Sequence, residues 1–117
     1  MGLLTGLLSL FLSTQPQQFA YADVQNMIIL DVRTAQEFNT GHVIGAQNID
    51  LFLPDFKNQI SKLDKSKNYK VYCRSGNRSG QAIKIMQSMG FKNLENLGGI
   101  HQAAKKLNLN CSQPNAC

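Results

Sequence analysis

Histidine occurs only twice in the 117 residues, at positions 42 and 101, and cysteine three times, at 73, 111 and 117. No Cys/His spacing among these resembles a set of zinc ligands, so the sequence predicts no metal site. Charge is sparse, with 12 Lys and Arg against 7 Asp and Glu and a formal net charge of +5. The basic residues are scattered from Arg33 to Lys106, and no stretch interleaves them with aromatics, which argues against a nucleic-acid partner. They read instead as a solvated basic surface that attracts small anions. No apolar run is long enough to cross a bilayer as a helix, and the length leaves no room for a second domain. The 43% hydrophobic and 16% charged content is ordinary for a soluble globular domain.

Charge is absent altogether before Asp23, which sets the first residues apart as a compositional unit. Residues 3–12 form an apolar run of the length of a signal-peptide core, residues 13–18 are polar, and Ala20-Tyr21-Ala22 has the small-x-small form of a cleavage site. No Lys or Arg precedes the run. Two readings stand: an export signal whose true start lies upstream of Met1, or an amphipathic helix docked on the domain. No cysteine follows the run closely, which argues against a lipid anchor. The expected organisation is residues 1–22 as a signal peptide or N-terminal apolar segment, 23–108 as one domain, and 109–117 as a polar tail, with periplasmic or other export as the expected location.

Three cysteines cannot all pair in a monomer, the expected state. Cys111 and Cys117 are spaced to close a small disulfide loop in an oxidising compartment, or to remain two exposed thiols on a frayed end. If they pair, Cys73 is the odd thiol.

Beyond the leader, short apolar runs alternate with helical patterns, the signature of an α/β domain with a central parallel sheet flanked by helices on both faces. Residues 27–30 and 69–72 read as buried strands, and residues 46–49 as a short one. Leu53, Phe56, Ile60 and Leu63 recur at helical spacing behind Pro54. Ala82, Ile85, Met86 and Met89 fall at i, i+3, i+4 and i+7, with Gly90 where the helix closes. A last strand over residues 93–97 and a last helix over residues 100–107 complete the pattern.

The chemistry-bearing stretch begins at Cys73, at the end of a strand, and runs through Arg74, Ser75, Gly76, Asn77 and Arg78 into a helix. Ligands bind at the carboxyl ends of strands in open parallel sheets. Successive backbone N–H groups in a tight turn ahead of a helix form an anion site, and Arg74 and Arg78 add positive charge. Both effects favour a thiolate over a thiol, the condition for a nucleophilic cysteine. An inert core cysteine is the competing reading, and two arginines and a glycine within five residues fit an apolar core poorly.

Five stretches occur in order: residues 30–33, Glu37 with Phe38, residues 41–46 with Asn48, the loop from Cys73 to Arg78, and residues 96–100. As an ordered set they resemble the rhodanese-homology family, in its small single-domain exported form. The resemblance implies a rhodanese-like fold and a thiosulfate sulfurtransferase. Cys73 would carry sulfur as a persulfide, and residues 74–78 would cradle the terminal sulfur and the anionic end of a donor such as thiosulfate. Cyanide or a thiol would accept the sulfur, and no cofactor would be needed. Asp31 is expected to brace the active loop and Arg33 to pair with Glu37, against the alternative of two surface charges that merely pair with each other. His42 is expected to be a structural hydrogen-bonder. Family members often have a tryptophan after the glycine pair; this chain has none, and Ile100 and His101 stand there.

Phosphatases and arsenate reductases that resemble this fold carry five residues between Cys and Arg, whereas only four separate Cys73 from Arg78 here, which favours sulfur over a tetrahedral oxyanion. A protein-fed persulfide carrier, with Cys111 and Cys117 as a resolving pair, and a non-catalytic interaction module are the remaining alternatives.

Overall fold

In a computed structural model, residues 26–117 are described. The N-terminal apolar segment and its export reading lie outside them. Among the described residues no helix is long and apolar enough to cross a membrane.

Among the described residues four strands build the sheet: β1 (Met27–Asp31), β2 (Gln47–Asn48), β3 (Asn68–Cys73) and β4 (Leu94–Gly99). They lie in the order β2-β1-β3-β4, and every pairing is parallel. Between them run α1 (Ala35–Thr40), α2 (Phe56–Ser61), α3 (Asn77–Ser88) and α4 (Ile100–Leu107). After β2 the chain returns to the far side of β1, so the order reverses between β1 and β3. That reversal opens a crevice at the carboxyl ends of these two strands, where Asp31 and Cys73 stand.

Side-chain alternation along β1 and β3 divides the core into two layers. Leu30, Val71 and Cys73 face one side and pack with Phe56 and Ile60 of α2 and Ala82 and Met86 of α3. Ile29, Tyr72 and Leu97 face the other and pack with Ile100, Ala103, Ala104 and Leu107 of α4. Helices therefore cover both faces, as the apolar patterning predicts. Truncating a fully buried member such as Ile60 to alanine removes about 2–5 kcal/mol of stability.

One element was not expected from periodicity. Helix α1 is only six residues long and buries none of them, so it carries no apolar stripe. It forms because Thr34 and Glu37 make a reciprocal capping box: Thr34 Oγ1 accepts from the Glu37 amide at 3.2 Å, and Glu37 Oε1 accepts from the Thr34 amide at 3.1 Å.

The C-terminal residues are annealed to the domain. Cys111 makes an antiparallel bridge with Val43, and the Ser112 amide donates to the His42 carbonyl at 2.7 Å. Cys111 and Cys117 are joined by a disulfide with their Cα atoms 6.0 Å apart, which leaves Cys73 as the free thiol. The tail is therefore a closed loop on the surface and not a frayed end.

Candidate active site

Strand β3 delivers Cys73 to the crevice, and the chain then turns through Arg74, Ser75 and Gly76 into α3. Gly76 makes the turn possible: its φ of 100° lies in the left-handed region, which a side chain would strain. The turn aims backbone donors inward. The Gly76 amide points at Cys73 Sγ from 2.9 Å, and the amides of Ser75 and Ser79 also act on the sulfur. Ser79, in the first turn of α3, puts its hydroxyl 3.5 Å from the same atom.

These groups compete with burial. Cys73 is 1% exposed, and desolvation alone pushes a thiol upward. The Ser79 hydroxyl and the three amides outweigh that penalty and hold the Cys73 thiol below its ordinary range. A thiolate there is a buried anion held by oriented dipoles.

Ser79 is itself fixed. Its hydroxyl lies 2.7 Å from Asn96 Oδ1 and 3.0 Å from the Gly76 carbonyl, and it is fully buried. With one proton for three acceptors, the hydroxyl gives it to Asn96 or Gly76 while Cys73 is a thiol. Turned toward Sγ, the same proton is the side-chain donor that favours the thiolate. Asn96 keeps its place because Oδ1 also accepts from the Gly98 amide at 2.9 Å.

The cationic rim divides in two. Arg78 forms a double hydrogen bond with Glu37, Nη1 to Oε1 at 2.6 Å and Nη2 to Oε2 at 2.9 Å, tying α3 to α1. Arg78 holds the Glu37 carboxyl down at about 2. The Arg78 guanidinium also lies over the Phe52 ring at 5.5 Å. Arg74 points outward and is exposed, as are Ser75 and Asn77.

The expected pairing of Arg33 with Glu37 is not formed. Arg33 instead grips Asp31, with Nε 3.0 Å from Oδ1 and Nη2 2.7 Å from Oδ2, and Nη2 also donates to the Gly41 carbonyl at 2.7 Å. The reason is burial: Asp31 is 0% and Arg33 6% exposed, and a carboxylate inside the protein holds its nearest cation. Nor are the two residues surface charges. Asp31 does not reach the loop; its Oδ2 accepts from the Tyr72 hydroxyl at 2.7 Å, so its brace acts on the residue before Cys73. The Tyr72 oxygen in turn accepts from the Val43 amide at 3.0 Å. His42 stacks on Phe38 with ring centroids 3.7 Å apart, and its Nδ1 lies 3.0 Å from the Phe38 carbonyl, away from the sulfur's hydrogen-bond partners.

The end of β4 backs the loop. A Cβ on Gly99 would collide with the Arg74 carbonyl, so the two backbones touch at a distance only glycine allows.

Residues 17–106 match the family of the rhodanese-like domain. The chain belongs to the rhodanese family. It is 40% identical over 77 residues to the thiosulfate sulfurtransferase PspE of Escherichia coli, covering 64% of this chain and 72% of that protein. A sulfurtransferase of Allochromatium vinosum is 32% identical over 80 residues, covering 68% and 73% of the two chains. Among solved structures, a rhodanese with anions from E. coli superposes with a TM-score of 0.57 at 37% identity over 65% of this chain and 89% of that one. A rhodanese-like domain from Anabaena gives a TM-score of 0.64 at 30% identity over 74% and 99%.

Within this rhodanese fold the structure gathers Cys73, its loop and Glu37 at one crevice, with Asp31 and Arg33 beneath. Reading the sequence did not single out Ser79, Asn96 or Tyr72 as members of the site. Ser79 was legible in one respect, as a hydroxyl in the first turn of the helix that follows the cysteine. Tyr72 and Asn96 become recognisable only once the strand pairing places them.

Proposed function

We propose that this protein is a sulfurtransferase that takes sulfane sulfur from thiosulfate, or a similar small anionic donor, onto Cys73 as a persulfide. It then passes the sulfur to cyanide or a thiol. The observation that carries this reading is the convergence of the Ser75, Gly76 and Ser79 amides and the Ser79 hydroxyl on one buried sulfur. The activities named for its relatives support the same assignment.

The Cys73 thiolate attacks the outer sulfur of thiosulfate. A new S–S bond forms at Sγ as the bond between the two thiosulfate sulfurs breaks, and sulfite leaves with that bonding pair. The product is Cys73–S–S⁻ with the charge on the outer atom. Loop amides that first held the thiolate are then placed to hold the terminal sulfur, so negative charge moves by one bond length within a prearranged set of donors. Arg74 and Arg78 draw the dianionic donor to the crevice. No cofactor enters the cycle, and Asp31, Arg33, Glu37 and His42 support the scaffold without touching the reacting atoms.

The Cys111–Cys117 disulfide supports an oxidising compartment and with it a periplasmic or otherwise exported location, reached through the N-terminal apolar segment.

Intact-mass spectrometry under non-reducing conditions tests the reading. After incubation with thiosulfate, wild type is expected to gain about 32 Da, one sulfur atom, and Cys73→Ser to gain nothing. No gain on wild type, with Cys73 free and reduced, would move the assignment to a protein-fed persulfide carrier or a non-catalytic interaction module.

A further inference from the structure

The C-terminal loop is fastened to the part of the chain that supports the active site from beneath. From Asn110 to Ala116 it lies against residues 41–44. The Ile44 amide donates to the Asn110 carbonyl at 2.9 Å, the Ser112 amide to the His42 carbonyl at 2.7 Å, and the His42 amide to Ser112 Oγ at 3.0 Å. Ala116 seats so closely on Gly41 that a Cβ there would collide.

Residues 41–44 in turn hold atoms under the strand that delivers the sulfur. The Gly41 carbonyl takes one arm of Arg33, and the Val43 amide donates to the Tyr72 oxygen, whose hydroxyl reaches Asp31. Tyr72 is fully buried and is bonded directly to Cys73. A second line runs through α1. The Gly41 amide closes that helix on the Phe38 carbonyl at 3.1 Å, and Glu37, beside Phe38, grips Arg78. Two routes of hydrogen bonds thus join the tail to the Cys73 loop, one beneath its strand and one along its rim.

The bond that closes the tail is open to reagents. Cys117 is exposed and Cys111 half-buried, and both line a groove of about 570 Å³ between the tail and α4, together with His101, Lys105, Leu109 and Pro114. Lys105 forms no ion pair among the described residues, and its charge favours a cysteine that leaves as a thiolate. Direct exchange with the Cys73 sulfur is a different matter. Cys73 belongs to the layer under α2 and α3, Cys111 to the layer under α4, and the sheet stands between them.

We propose that the Cys111–Cys117 disulfide is a redox-modification site, cut by a dithiol through this groove, and that cutting it releases the brace beneath Cys73 and slows sulfur transfer. The regulation rests on the sulfurtransferase reading. One reductant thiolate attacks Cys117 Sγ, the bond to Cys111 breaks, and Cys111 departs with the electron pair and takes up a proton. The second reductant thiolate attacks the mixed disulfide, frees Cys117 as a thiol, and closes the reductant's own disulfide. Two electrons and two protons have then passed to the tail. Without its closure the loop regains conformational freedom, and its hold on residues 41–44 weakens.

Dithiothreitol is the probe. Wild type is reduced, desalted without oxygen, and assayed with thiosulfate and cyanide; Cys73 is a free thiol before and after, so only the tail pair changes. Reduction is expected to lower kcat/KM about fivefold, and oxidised dithiothreitol to restore it. Cys111→Ser with Cys117→Ser should start at the reduced value and respond to neither reagent. Unchanged activity of the reduced protein would overturn the proposal. So would a loss that the double variant also shows on treatment, or a disulfide that resists dithiothreitol until urea unfolds the chain.

A second measurement needs no turnover. Reduction should speed hydrogen exchange of the Ile44, Ser112 and Val43 amides about tenfold and leave the amides of α3 unchanged, where general destabilisation would speed both sets. In the double variant the iodoacetamide curve of Cys73 should move to higher pH. Faster exchange with that curve and the turnover both unmoved would describe a tail that opens without touching the site, and would sink the proposal. Faster exchange with a displaced curve, in protein that takes up no sulfur from thiosulfate, would uphold the coupling and count against the donor chemistry alone.

Discussion

Arg78 and Glu37 are 41 positions apart in sequence and share two hydrogen bonds, of 2.6 and 2.9 Å. The pair ties the helix after the active loop to the short helix α1, and the fork geometry fixes the guanidinium plane as well as its position. Glu37→Gln keeps the size and removes the charge. The expected result is a fall of about tenfold in kcat/KM for thiosulfate as Arg78 loses its fixed orientation, measured as initial rates with cyanide as acceptor.

The same pair gives the fold an acid-sensitive component. Glu37 is held at about 2, below its ordinary 4.5, so its ionised form, paired with Arg78, is favoured in the folded state. A depressed carboxyl contributes stability that is complete above the unfolded value and is lost as pH falls through the folded one. Urea midpoints should therefore decline between about pH 4.5 and 2 by more in wild type than in Glu37→Gln.

Ser79→Ala removes the one side-chain hydroxyl among the described residues that reaches Cys73 Sγ, while burial of the sulfur stays. The thiol should then titrate at higher pH, with its iodoacetamide alkylation curve displaced upward and its rate at pH 7 lowered several-fold. An unmoved curve would assign the thiolate's stabilisation to the loop amides alone.

Tyr72→Phe leaves the Val43 amide without its acceptor and Asp31 Oδ2 without one donor, both inside the core. A loss of about 1–3 kcal/mol of unfolding free energy is expected from the stranded Val43 amide, since Asp31 Oδ2 keeps Arg33 as its donor. Denaturant titration checks it, with an unchanged slope showing that the same surface still unfolds.

Gly99→Ala places a methyl group against the Arg74 carbonyl. The loop must retreat, so persulfide formation should fall steeply while the far-ultraviolet circular dichroism spectrum stays that of the wild type.

Much of this arrangement is written in local pattern. The continuous apolar residues 27–30, the i, i+3, i+4 spacing from Ala82 to Met89 and the cysteine between a strand and a glycine turn each reflect a requirement that neighbouring residues satisfy by themselves. Helix α1 escaped periodicity because it buries nothing, although Thr34 and Glu37 spell a capping box that could have revealed it. The partner of Arg33 escaped for a different reason. Glu37 and Asp31 are both within reach in sequence, and burial of Asp31 in the crevice, a property of the assembled sheet, decides between them. Asn96 and Ser79 meet only because β4 lies beside β3. No local rule predicts a contact of that kind.

In the pairing of β3 with β4, Val71 lies opposite Asn96 and Tyr72 opposite Gly98, so Leu97 is one residue more than a regular ladder holds. Asn96 thereby faces Ser79, Leu97 enters the layer under α4, and Gly99 arrives against Arg74. Removing Leu97 would leave an unbroken ladder in which Gly98 still faces Tyr72 and Gly99 still faces Cys73, and what would be lost is the side chain that the extra residue sends into the layer under α4. The bulge thus lets one short stretch of strand serve two layers at once, with Asn96 and Gly99 beside the Cys73 loop and Leu97 in the core on the other face.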